Sequence, residues 1–173
     1  PRPTDAGSIP RSASVRVVTG FFFAAMIPLN DGYRASPVWS VTDTSAGSDA
    51  EIVVEAIPEK LALKQALFAQ LDTLVPSGIP VVSNASGYRI TDIAGQIATR
   101  ARCANLHFFL PAHLVPGVEV VQGEHTDPAL CDAVAAIMDG LGRKVIRVAK
   151  DVPGFLANRI QHALMREAFS VID

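Results

Sequence analysis

Cysteine is scarce in this chain: Cys103 and Cys131 are the only two in 173 residues. Their spacing matches neither a zinc site nor a disulfide framework, so a reduced, cytoplasmic setting is expected. An excess of positive charge is also lacking. Fifteen Lys and Arg against 17 Asp and Glu give a formal net charge of −2, and the basic residues form no stripe along the sequence. Nucleic acid and anionic membrane surfaces are therefore not expected as partners. No apolar run is long enough to span a bilayer. The longest, Val15 to Leu29, follows Arg2 and Arg11 and has Arg16 at its start, in the order of a signal peptide, but no small-x-small cleavage site comes after it. A strand at Val15–Val18 followed by a buried turn or helix fits it equally well. His113, His125 and His162 share no metal-ligand spacing and read as surface or packing residues, so no metal is expected.

What is present is apolar substance: 49% of residues are hydrophobic, enough for a packed core in one domain or slightly more. Residues 1–14 and 36–50 are dominated by Pro, Ser, Thr, Gly and Asp and read as loop or disorder. The chain opens at Pro1 and closes at Asp173 within a helical pattern, which reads as a fragment.

From Asp49 the pattern becomes regular. Glu51 to Ile57 is a short β-branched run, read as a buried strand. Pro58 and Glu59 open a helix to about Leu74, with Leu63, Leu67, Phe68, Leu71 and Leu74 on one face. Strands follow at Ile79–Ser83, Ala104–Phe108, Val118–Gln122 and Lys144–Ala149. Between them lie a polar turn at Asn84–Gly87, a short helix from Ile90 to Ala98, and a helix capped by Asp127 with Pro128 at its first position, ended by Gly142. A last helix starts near Phe155. Strands and helices alternate through short connections, the pattern of βαβ units on a mostly parallel sheet. Ligands of such sheets sit beyond the carboxyl ends of the strands. The polar residues at those ends are Glu59, Asn84, Ser86, His107 and Asp151.

His107 and Glu119 stand twelve residues apart, separated by Pro111, Pro116 and Gly117, which no regular helix accommodates. A loop that folds back would set the carboxylate on the imidazole, fixing its tautomer for proton transfer. The plainer alternative is that one residue closes a strand and the other opens the next. Ser86 in a strand-to-helix turn is either a ligand contact or a capping serine. Asn158 in the first turn of the last helix is either a ligand contact or a solvated cap. Glu59 and Lys64, five apart, are not a helical i,i+4 pair and would ordinarily be solvated.

Five segments, Val-Val-Glu-Ala-Ile-Pro-Glu59, Ser-Asn-Ala-Ser86, His107-Phe-Phe-x-Pro, Val118-Glu119-Val-Val and Lys150-Asp-Val-Pro-Gly-Phe-Leu-Ala-Asn158-Arg, together resemble the NAD-dependent 3-hydroxyacyl-CoA dehydrogenase family over about residues 49–173. The resemblance implies an α/β fold: a Rossmann-like, mostly parallel sheet, incomplete here, followed by the first helix of a C-terminal helical domain. The division it implies is an N-terminal segment 1–48 in place of the Gly-rich βαβ unit, the second half of the NAD-binding domain at 49–150, and the start of the helical domain at 151–173. The implied roles are His107 as acid–base, Glu119 as its partner, Ser86 as a contact to substrate and nicotinamide, and Asn158 as a further pocket residue. Glu59, Lys64 and Ser86 would face the NAD cofactor. The partner implied is a small acyl-CoA or hydroxy-acid substrate, with homodimeric relatives. The sequence departs from the family in lacking Gly-x-Gly-x-x-Gly; Thr19-Gly20-Phe21 carries a single glycine of it. Leu110 replaces a usual Asn of fatty-acyl members and Gly87 a second Ser, which opens the substrate to shorter 3-hydroxy acids. Three functions follow as expectations: NAD-dependent oxidation of a 3-hydroxyl, a non-catalytic fragment unable to hold the dinucleotide, or a secreted or anchored module.

Overall fold

The computed structural model describes residues 14–19, 34–38 and 51–172, the first two segments as backbone only. Seven strands, β1 (Ser14–Thr19), β2 (Arg34–Val38), β3 (Ile52–Ala56), β4 (Val81–Ser83), β5 (Cys103–Phe108), β6 (Gly117–Val121) and β7 (Lys144–Val148), form one sheet in the order β2-β1-β3-β4-β5-β6-β7. All neighbours are parallel except β5 and β6, which run antiparallel. The expected α/β, Rossmann-like sheet is what is found. Of the loop expected over 36–50, residues 36–38 instead belong to β2, and 39–50 lie outside the described residues. Pro37 falls on an edge strand, the place in a sheet where proline is accommodated because only one side of the strand is paired.

The core lies on both faces of the sheet, sorted by the two-residue period of the strands. Ile52, Val54, Val82, Ala104 and Leu106 face one way and pack with Cys131, Val134 and Met138 of helix α3 (Pro128–Gly140). Val53, Val81 and Cys103 face the other way, against Leu67, Phe68 and Leu71 of helix α1 (Leu61–Leu74) and Ile90 and Ile93 of α2 (Ile90–Ile93). Burial pushes the Cys103 thiol up to about 12, so it behaves as an inert core residue. Asp127 caps α3 by accepting from Ala129 N at 2.9 Å, and Gly142 takes φ +75° just beyond it. The helix expected to reach Ala98 stops at Ile93, close to Gly95, a poor helix former. The last helix, α4 (Ala157–Ile172), follows a tight turn in which Gly154 and Phe155 both have positive φ.

One pair corrects the sequence reading. Lys64 is not solvated but 1% exposed, and its Nζ donates to Glu55 Oε1 at 2.8 Å and to the Ile57 carbonyl at 3.2 Å. Glu55, in the middle of a buried strand, also accepts from Ser83 Oγ and from Ile57 N. A carboxylate buried in an apolar run needs such partners, and a long ammonium side chain from the adjacent helix supplies them. Lys64→Ala strands that carboxylate. Chemical denaturation of this variant is expected to show a loss of about 3–5 kcal/mol. The double variant Glu55→Gln/Lys64→Met is expected to recover much of it.

Candidate active site

The antiparallel pairing of β5 with β6 places His107 directly opposite Glu119 in register. Cross-strand neighbours share a face with their Cβ atoms close together. His107 Nδ1 and Glu119 Oε2 are 2.8 Å apart, both side chains buried. The two alternatives left open by the sequence are therefore both realised: each residue sits in its strand, and the strands bring them together. Gly117 permits the hairpin, since a Cβ there would come within 2.7 Å of the Phe109 ring. That ring and Phe155 flank His107, with centroids at 5.7 and 5.5 Å.

The second carboxylate oxygen, Glu119 Oε1, accepts from the backbone N–H groups of Leu156 and Ala157 at 3.0 and 2.9 Å. These are orphan donors at the start of α4, where a negative charge is favoured. Burial pushes the Glu119 carboxyl up, but hydrogen bonds from His107, Ala157 and Leu156 outweigh it and hold the group below the usual carboxylate range. With Nδ1 engaged by a carboxylate, the imidazole is left with Nε2 as its free basic nitrogen.

Asn158 follows immediately in α4, and its Nδ2 donates to the Ser86 carbonyl at 3.0 Å. The Ser86 turn is also held from the connection between β3 and α1: Glu59 Oε1 accepts from Ser86 N at 3.0 Å and from Gly87 N at 2.9 Å. Lys64 Nζ lies 3.4 Å from Glu59 Oε2. Asn84 fastens the same turn to the end of β5 by accepting from Phe108 N at 3.0 Å. The six candidate residues thus fall into two polar networks, His107 with Glu119 and Asn158 with Ser86, Glu59 and Lys64, which meet where Asn158 follows Ala157 at the start of α4. They are not equivalent. Ser86 and Asn158 line an open cleft with Glu59, Gly87, Arg159 and Arg166, whereas Lys64 lies beneath it among buried groups.

Glu55 carries no functional signal in the sequence beyond being a lone acid inside Ile52–Ala56. Asp151 is marked by the sequence only as a polar residue at a strand end. Asp151 Oδ2 accepts from Thr91 N at 2.9 Å and from Thr91 Oγ1, tying the connection before α4 to the start of α2. His113, His125 and His162 are exposed, as read. No group of His, Cys, Asp and Glu among the described residues is arranged to hold a metal.

The profile of the family described as 3-hydroxyacyl-CoA dehydrogenase, NAD binding domain, matches residues 32–152. The chain belongs to this family. The match reaches further towards the N-terminus than the resemblance from residue 49, and it takes in β2. An L-carnitine dehydrogenase of Streptomyces griseus is 44% identical over 135 residues, covering 77% of this chain and 40% of that protein. A 3-hydroxyadipyl-CoA dehydrogenase of Escherichia coli is 36% identical over 133 residues, covering 77% and 28%. The solved structure of 3-hydroxybutyryl-CoA dehydrogenase from Escherichia coli superposes with a TM-score of 0.73 at 33% identity, over 80% of this chain and 28% of that one. The chain therefore spans well under half the length of these relatives. The family's cofactor is NAD, and its members here are oxidoreductases acting on different substrates.

In this family member, ionised Glu119 couples the fold to pH. Its folded pKa lies below the unfolded value of about 4.3, so its stabilising contribution is complete above that value and is lost as pH falls through the folded pKa. Urea denaturation of Glu119→Gln between about pH 3 and pH 7 is expected to show a flatter acid limb than the unsubstituted chain. Parallel curves would show that folding does not lower the Glu119 carboxyl.

Proposed function

We propose that this chain carries the catalytic dyad of an NAD-dependent dehydrogenase that oxidises the 3-hydroxyl of a 3-hydroxyacyl-CoA or related 3-hydroxy acid to the 3-oxo product. The observation that carries the reading is the 2.8 Å contact of His107 Nδ1 with a carboxylate that is itself pinned by two backbone N–H groups. Glu119 orients the ring and stabilises the imidazolium that forms when Nε2 takes the hydroxyl proton. Phe109 and Phe155 limit water around the ring, which strengthens the ion pair formed at that moment.

The donor set suits a nicotinamide. A hydroxyl from Ser86 and a carboxamide from Asn158 meet in a cleft beyond the carboxyl ends of parallel strands, where such sheets take dinucleotides. Bound there, NAD would supply the hydride acceptor. Ser86 and Asn158 are assigned to contact substrate and nicotinamide. Glu59 serves the cofactor side by holding the Ser86–Gly87 turn, and Lys64 by holding Glu59. The Thr19-Gly20-Phe21 stretch, from Gly20 on, lies outside the described residues.

Free L-carnitine and CoA thioesters are both candidate substrates, since relatives named for each resemble the chain. We also assign to this chain a boundary near residue 150 between the sheet domain and a helical one, a cytoplasmic setting, and homodimeric full-length relatives. A boundary at 48 does not fit, since β1 and β2 pair into the same sheet as β3. Among the described residues no helix is long and apolar enough to cross a membrane.

A second reading, a fragment unable to hold the dinucleotide, is favoured by the missing Gly-x-Gly-x-x-Gly and by the chain's 40% share of its relative's length. NADH fluorescence separates the two: saturable binding supports the dehydrogenase, and no binding supports the fragment. With turnover on L-carnitine, 3-hydroxyadipyl-CoA or 3-hydroxybutyryl-CoA established, His107→Ala is expected to lower kcat by about 10²–10⁴, with little change in NADH affinity. Near-normal turnover of that variant would remove His107 from the role.

A further inference from the structure

Arg159, His162 and Arg166 recur at intervals of three and four along α4, so they share one stripe of the helix. All three line the cleft that contains Ser86 and Asn158. The stripe begins beside the candidate site: a Cβ on Gly154 would stand 3.6 Å from Asn158 Cβ and 3.7 Å from Arg159 Cγ, so the two side chains start together over that glycine. Neither the Arg159 nor the Arg166 guanidinium has an ion-pair or side-chain hydrogen-bond partner among the described residues. Glu59, the acid in the cleft wall, is already compensated by two backbone N–H groups and by Lys64. Two uncompensated guanidiniums along a concave wall focus a positive potential there. Their planar forks match carboxylate and phosphate oxygens.

We propose that this stripe binds the anionic group of the substrate, an inference that rests on the dehydrogenase reading of the cleft. The helix sets a ruler. Arg159 adjoins Asn158 and suits an anion near the reacting carbon, the carboxylate of a free 3-hydroxy acid. Arg166 lies about 10 Å further along and suits a distant one, the phosphates of a CoA thioester. His162 lies between them on the same wall.

The test compares the chain with its Arg159→Gln and Arg166→Gln variants on 3-hydroxybutyrate, its methyl ester and 3-hydroxybutyryl-CoA. Loss of a charge-assisted hydrogen bond is expected to raise KM about 10-fold or more, with kcat within about twofold. Arg159→Gln should do so for the free acid and not for the neutral ester. Arg166→Gln should do so for the thioester. Turnover with unchanged KM in both variants would overturn the stripe while leaving the dehydrogenase reading intact. For a chain without turnover, side-chain Nε–H resonances of labelled arginine decide. Shifts on adding 3-hydroxybutyrate or inorganic phosphate, absent from the variants, support the stripe although the activity reading fails. No shift with either anion overturns it.

Discussion

The carboxylate of Glu119 is the joint on which the candidate site turns. One oxygen meets His107 and the other meets the first N–H groups of α4. A buried carboxylate is unfavourable unless its lone pairs are satisfied, and here three donors from two directions satisfy them. Orientation of the imidazole and placement of the last helix therefore depend on the same charge. Because Asn158 follows Ala157 directly, the carboxylate also sets where Asn158 meets the Ser86 turn.

A second buried charge supports the opposite wall. Glu55 and Lys64 form an ion pair under β3 and α1, and Lys64 reaches on to Glu59, which holds the Ser86–Gly87 backbone. The Ser86 turn is thus held between two carboxylate-centred networks, one based on β3 and one on β6. The cleft between them is open on the α4 side, where several large apolar residues, including Leu164, Phe169 and Ile172, are exposed as well. The polar stripe and the apolar residues give α4 its amphipathic character.

Much of this was legible in the residues. The strands from Ile52 onward lie where β-branched runs bounded by Pro, Gly and Asn place them, because buried parallel strands leave little polar alternation to misread. The Asp127 cap, Pro128 start and Gly142 stop of α3 were readable for the same local reason: each acts within one turn of itself. Lys64 was not legible. A lysine on a helix is ordinarily solvated, and only the approach of Glu55 from a strand nine residues earlier makes its burial stable. Strand β2 was hidden too, since Ser36 and Pro37 carry turn chemistry and are tolerated only because the strand lies at an edge.

The sequence by itself determined the alternation of strand and helix, the mostly parallel sheet and the set of polar residues at its carboxyl edge, because these follow from periodicity and short-range turn chemistry. It also carried the five motifs that mark the family. Only the tertiary structure decided which polar residues face each other. The antiparallel register of β5 and β6 set His107 against Glu119, and the return of α4 completed that carboxylate's partners. The burial of Lys64 belongs with these, because contacts between distant segments depend on strand order and helix placement, which no local pattern encodes.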